Sequence, residues 1–260
     1  MTANIMDRLE NIDYCIRYLM RQDGVVADIP PTLEDRQRLL RALMNVWEPQ
    51  PLSEAFLRAQ DAELQAQLQD KGVVGLEDIA TSVDTPLLWQ GDITRLRVDA
   101  IVNAANSVGL GCWHPLHNCI DNAIHSAAGL QLRQECNRVL AGSEIATGQA
   151  IITPAYNLPA RYVIHTVGPI IPDGLPTAEQ EKQLADCYRN CLELAEANDC
   201  RSIAFCCIST GEFRFPNRRA AEIAIQTVRN YKFKDQSFTV VFNVFKDIDY
   251  DIYRQLLSKD

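Results

Sequence analysis

Val98-Asp-Ala-Ile-Val-Asn-Ala-Ala-Asn106 runs from a short apolar strand straight into a loop of small and amide side chains, and it decides the fold. Its strand, Ala100–Asn103, is one of six such runs. The others are Leu87–Gln90, Ala150–Pro154, Tyr162–Thr166, Ile203–Ile208 and Phe238–Val244. Amphipathic stretches at about 119–139, 177–198, 216–230 and 248–258 read as helices between them. Strands this apolar, alternating with helices, predict a mostly parallel sheet covered on both faces. Ligands of such sheets bind beyond the C-terminal strand ends. The loops after Asn103 and after Ile208 are therefore the candidate site.

Upstream the pattern is helical, with no strand signal from about residue 4 to 70. Ile5, Leu9, Ile12, Ile16 and Leu19 form one apolar stripe at helical spacing. Asp28-Ile-Pro-Pro-Thr breaks the chain, and Thr32 with Asp35 has the spacing of a capping box. Leu40, Leu43, Met44 and Trp47 would carry the buried face of the second helix. Pro49-Gln-Pro ends it, and Ser53 can cap a third helix reaching Leu68. The expected division is a helical extension over 1–71 and an α/β domain over 72–260.

Composition narrows the partners. The chain has 260 residues, 47% of them hydrophobic, enough for a core that needs no staples. No window approaches the ~18 consecutive apolar residues of a membrane span, and Met1-Thr-Ala-Asn-Ile-Met-Asp lacks the pattern of a secretory signal. Nine cysteines, an odd number, argue against a disulfide framework and for a reducing compartment. A cytoplasmic location is expected. A net charge of −9 argues against a broad basic surface for nucleic acid. A phosphate ligand remains compatible with it, held locally by backbone N–H groups and a helix N-terminus.

In the first loop Cys112, His117 and Cys119 form a Cys-x4-His-x-Cys cluster with His114 beside it. Two thiolates and an imidazole suit zinc rather than magnesium or calcium. Three ligands in one loop beside a cleft suit a site with an open position for Lewis-acid or water chemistry. Two plainer readings stand beside this one: cysteine as a small buried hydrophobe, and histidine as a hydrogen-bonded loop residue. His114 as a fourth, structural ligand is a further alternative. Asp121 and His125, at i and i+4, could be a helix surface pair, or Asp121 could serve the helix dipole. The second loop, Ser209-Thr-Gly-Glu-Phe-Arg-Phe-Pro216, joins a strand to a helix through small residues and hydroxyls, the makings of an anion cradle. Alone it could equally be an ordinary turn.

Taken together, Gly91-Asp-Ile-Thr94, Val98–Asn106, Ile124-His-Ser-Ala-Ala-Gly129 and Ser209–Pro216 resemble a macrodomain, the ADP-ribose-binding fold, in the family's order and spacing. The resemblance covers about residues 72–260. Ordinary macrodomain hydrolases have a glycine-rich segment where this chain has Cys112, His117 and Cys119, and in that it is similar to the zinc-dependent subclass. That subclass also carries a helical N-terminal extension. The resemblance implies a three-layer α/β/α fold with a central mixed, mostly parallel sheet, preceded by a small all-helical extension. It implies one Zn2+ per chain on Cys112, His117 and Cys119. Asp92 and the Ile93 backbone would meet the adenine, with Phe245 against the ring. Asn103 and Asn106 would face the proximal ribose beside Ile120 and Asp121. Ser209, Thr210, Gly211, Glu212 and Phe213 would wrap the pyrophosphate. Asp121 and Asn106 take the catalytic positions, Asp121 to orient or activate water; Trp113 and His114 receive no role.

The implied activity is zinc-dependent hydrolysis that removes ADP-ribose from mono-ADP-ribosylated proteins, with ester-type O-linkages the expected target. The expected partners are ADP-ribose and its protein conjugates, without nucleic acid or membrane. The competing readings are a non-catalytic ADP-ribose reader and a deacylase of O-acetyl-ADP-ribose. A structural zinc fold of unrelated role would leave Asp92, Asn106 and the Ser209 loop unexplained.

Overall fold

The structure, a computed structural model, describes residues 5–22, 24, 26, 28–79 and 86–258, with Ile5 and Met6 described for their backbone only. The side chain of Ile5, first in the expected stripe, and residues 1–4, on which the signal reading partly rests, lie outside the described residues.

The chain opens with helices α1 (Ile5–Gln22), α2 (Leu33–Val46) and α3 (Glu54–Lys71). Thr32 caps α2 by accepting from the Asp35 amide at 3.1 Å, while its own hydroxyl donates to Asp35 Oδ2, so the reciprocal bond of a full capping box goes to the side chain. Ser53 caps α3 from the Phe56 amide. Ile12, Ile16, Leu19, Leu40, Met44, Trp47 and Phe56 close a core of their own, which Leu130 of the following domain enters. At its edge a buried Glu63 takes both guanidinium arms of Arg8 at 3.0 Å, a pairing that tolerates burial because both charges are satisfied.

The chain then gives a two-residue strand β1 (Val74–Gly75), a one-turn helix α4 (Leu76–Ile79), and strands β2 (Leu87–Gln90), β3 (Leu96–Arg97) and β4 (Ala100–Ala104). Helices α5 (Ile120–Ala128) and α6 (Leu130–Leu140) precede β5 (Ala150–Pro154) and β6 (Tyr162–Thr166). Helix α7 (Ala178–Ala197), β7 (Ser202–Phe205), α8 (Asn217–Asn230), β8 (Thr239–Val244) and α9 (Asp247–Leu257) complete it. β1 pairs only with β3; the main sheet has the order β2-β8-β7-β4-β6-β5, parallel except for β5 at its edge. Every residue of β7, and all of β4 except Ala104, is buried, so helices cover both faces of the sheet.

Two readings change. The helix expected over 119–139 is two helices, broken at Gly129 with φ +96°, a value L side chains avoid. The strand expected over Ile203–Ile208 stops at Phe205, where its pairing ends and the chain turns into the second loop. No helix among the described residues is long and apolar enough to cross a membrane.

Candidate functional site

β4 and β7 are adjacent and parallel, so the loops that follow them leave the same end of the sheet. They meet there, with His117 Nε2 3.8 Å from Glu212 Oε1.

The ligating atoms of Cys112, His117 and Cys119 lie within 4.8 Å of one another, with Cys112 Sγ 3.6 Å from His117 Nδ1. Tetrahedral zinc, with bonds of about 2.3 Å to sulfur and 2.0 Å to nitrogen, needs a sulfur–nitrogen separation of roughly 3.5 Å. Donor set and spacing therefore fit the metal. His114 is exposed and stands outside the cluster, its ring 5.9 Å from that of His117. Cys119 is also the N-cap of α5, its sulfur 3.4 Å from the Asn122 amide, a position that favours negative charge. Without a cation, burial and the neighbouring Cys112 push its thiol up to about 12. Trp113 finds its place under the Arg133 guanidinium, 4.3 Å from the ring centroid.

Two residues past Cys119, Asp121 sits in the first turn of α5 and is 5% exposed. Asp121 and His125, 3.6 Å apart, are both buried, so the surface-pair reading falls. Asn103, at the end of β4, is completely buried, and its Nδ2 donates to Asp121 Oδ1 at 2.7 Å. The same amide faces His165 Nδ1 at 3.1 Å. A donor there makes Nδ1 the acceptor and leaves the His165 proton on Nε2, 3.0 Å from Thr153 Oγ1. Burial drives both imidazoles toward the neutral form, His165 down to about 3. It pushes Asp121 up to about 6, against the Asn103 bond and the charge of Arg133. The carboxylate thus stands among neutral imidazole and amide groups, with the Arg133 guanidinium as the charge that opposes the effect of burial.

Asn106 is turned to its own loop: Oδ1 accepts from Gly109 N and Nδ2 donates to Gly111 O, both at 3.1 Å. At Gly111 (φ +84°) a β-carbon would stand 2.9 Å from the His125 ring, so this glycine lets the loop rest on the helix below.

In the second loop Ser209 and Arg214 hold positive φ of 65° and 60°, uncommon and strained for non-glycine residues. Phe215 N closes the loop on Ser209 O at 2.9 Å. The buried Ser209 Oγ has no hydrogen-bond partner among the described residues, an unspent hydroxyl in the loop expected to take an anion. Thr210 bonds the Cys207 carbonyl, Gly211 and Glu212 are exposed, and Phe213 packs beside Ala105 and Val167.

In the turn after β2, Asp92 is partly exposed rather than buried. Oδ1 accepts from the Thr94 amide and hydroxyl at 3.0 and 2.6 Å, and Oδ2 holds Lys71 Nζ at 3.2 Å. Burial opposes its ionisation, but the Thr94 bonds and Lys71 prevail and hold its pKa below the usual carboxylate value. Ile93 is buried beside it, Ile120 is half-buried, and the Phe245 ring is exposed. His165, Arg133, Gly168 and the α2 residues Arg41 and Asn45 belong to this region and carry no local sequence signal; they arrive through long-range packing.

A family model described as Macro domain matches residues 102–224. A Treponema medium protein named protein-ADP-ribose hydrolase is 48% identical over 97% of this chain and 100% of its own length. Among solved structures, an Oceanobacillus iheyensis macrodomain with ADP is 40% identical, covering 68% of this chain and 92% of its own, with a TM-score of 0.60. A Trypanosoma brucei macrodomain in complex with ADP-ribose is 30% identical over 89% of this chain and 97% of its own, with a TM-score of 0.65.

Proposed function

Because the chain belongs to the macrodomain family, we propose that it removes ADP-ribose from mono-ADP-ribosylated proteins, with zinc on Cys112, His117 and Cys119 and ester-type linkages as its targets. The observation that carries the reading is the buried Asp121 carboxylate, two residues past a fitting metal cluster whose His117 reaches the second loop. A module that only bound ADP-ribose needs the adenine and pyrophosphate contacts and gains nothing from a buried charge there. The Treponema medium relative's name supports the hydrolysis of protein-linked ADP-ribose, and the complex of the trypanosomal protein supports ADP-ribose as the ligand.

In this reading Asp92, once it yields Lys71, accepts from the adenine amino group, with the Ile93 backbone beside it and Phe245 free to lie against the ring. The Ser209–Phe213 loop and the unspent Ser209 hydroxyl take the pyrophosphate. Ile120 walls the proximal ribose, and Asn106 shapes the loop above it. Cleavage of the bond at the anomeric carbon builds positive charge on the ribose and negative charge on the departing carboxylate. Asp121, ionised and held by Asn103, stabilises the first or takes a proton from the attacking water. Bound zinc supplies Lewis acidity for an oxygen at the open position.

The test measures ADP-ribose release from a carboxylate-modified protein beside calorimetric binding of free ADP-ribose. Asp121→Ala should lower turnover by roughly 10²-fold or more with a small change in affinity, because its role lies in the transition state. A wild-type chain that binds ADP-ribose and releases none from any modified protein is a reader. Equal release from arginine-linked substrate would remove the ester preference, and stoichiometric zinc absent on elemental analysis would remove the metal.

A further inference from the structure

The Cys112–Cys119 loop has an internal bond from the His117 amide to the His114 carbonyl, and the rest of its support comes in part from outside, from α2. Leu116 stands at φ +59°, an unfavourable value for leucine, and its amide donates to Asn45 Oδ1 of α2 at 2.9 Å. Asn45 is 1% exposed, and its Nδ2 donates to Ser126 Oγ on α5. One turn earlier on the same face, Arg41 donates to the His117 carbonyl at 3.0 Å and twice to Asn122 Oδ1, at 2.7 and 3.1 Å. Asn122 passes this on: its amide donates to Cys119 Sγ and its Nδ2 to the His114 carbonyl. The last turn of α2 is in turn gripped by Arg133, which donates to the carbonyls of Met44, Asn45 and Trp47 and carries Trp113 on its face. Asn45 lies in the last turn of α2, whose apolar residues Leu40, Leu43, Met44 and Trp47 pack into its own bundle. The polar Arg41/Asn45 face looks the other way, onto the loop.

We propose that α2 is part of the active site: Arg41 and Asn45 are positioning residues that hold the Cys112–Cys119 loop in its ligating shape, so the helical extension sets metal retention. The zinc half of this inference rests on the proposed metal site; the clamp itself does not.

Two measurements on the full-length chain separate them. The first is hydrogen exchange over residues 112–122 in metal-free protein. Arg41→Ala and Asn45→Ala should each raise exchange there by about tenfold, with α1 and α3 unchanged. Arg36→Ala, which breaks the anchorage of α2 to Asp13 on α1, should leave the loop protected. The second is zinc release into a chromophoric chelator, expected about tenfold faster in both clamp variants, the scale for loss of a group supporting a metal ligand. Arg41→Lys, which keeps the charge and loses the fork, should fall between. Loop exchange unchanged in both variants overturns the clamp. So does an Arg36→Ala variant that opens the loop as far as Arg41→Ala, since that is general loosening of the extension. A wild-type chain without zinc sinks the metal reading and leaves the exchange result to judge the clamp.

Discussion

A β-carbon on Gly168 would collide with Ser209 Oγ and stand 2.8 Å from Ile208 Cγ2, so the missing side chain at residue 168 leaves room for the Ser209 side chain where it now sits. The glycine is 41 residues away from the loop it permits, and nothing near it in the sequence announces the contact. Gly168→Ala should therefore act on the second loop more than on the core. Overpacking costs about 1–3 kcal/mol, and the cheapest escape is a shift of Ser209. The expected outcome is ADP-ribose affinity weaker by roughly tenfold, about 1.4 kcal/mol, read by calorimetry. Turnover at saturating substrate should change less, because Asp121 and Asn103 stand on α5 and β4. Unchanged affinity would show that the loop's shape does not set binding. The ligand cluster is the opposite case: Cys112, His117 and Cys119 are close in sequence and could be read there. Asp121 could be read as a helix-start acid, but its burial could not, since that depends on Asn103, His165 and Arg133 coming from three other elements.

Strands were legible as short apolar runs set between helical stretches: Leu87–Gln90, Ala150–Pro154 and Tyr162–Thr166 have the bounds their sequences predict, although the first two are partly exposed edge strands. The α5/α6 break was hidden because apolar spacing continues across Gly129 while the backbone does not. Arg133, on α6, is 2% exposed and ends α2 by satisfying three carbonyls that the last helical turn leaves open. Burial lowers its pKa to about 10, so it stays charged at neutral pH. Arg133→Met keeps the stem and removes the donors, leaving three buried acceptors and Asp121 without their cation. The loss should be about 3–5 kcal/mol of unfolding free energy, the scale for a buried charge partner, measured by urea denaturation. A loss under about 1 kcal/mol, the level of an ordinary surface site, would mean that α2 terminates without it.

Across the whole molecule the two ends of the sheet do different work. The end beyond β4 and β7 carries the two site loops, the buried Ser209 hydroxyl and the candidate chemistry; the opposite end is fastened by Asp99, ahead of β4. Its carboxylate accepts from the Arg201 amide at 2.8 Å, from the Ser202 amide and hydroxyl at 3.1 Å, and from Arg161 at 3.1 Å. Its carbonyl receives the amides of Arg161 and Tyr162. One residue thus gathers the starts of β4, β6 and β7, which fixes where their C-terminal ends release the two site loops. Burial works against the Asp99 charge, but the bonds from Arg201, Arg161 and Ser202 outweigh it and hold the pKa below the ordinary 3.8. A depressed carboxylate contributes stability that is complete above the unfolded pKa and is lost as pH falls through the folded one. Asp99→Asn should cost about 1–2 kcal/mol at neutral pH, the scale of hydrogen bonds to a charged acceptor. The gap to wild type should narrow as the pH falls below about 4, where the wild-type carboxyl gains its proton. Denaturation of both proteins at about pH 7 and about pH 3 gives the double difference that isolates this group from the other titrating acids. A gap that stays constant with pH would mean that shape, rather than charge, lets Asp99 join the three strands.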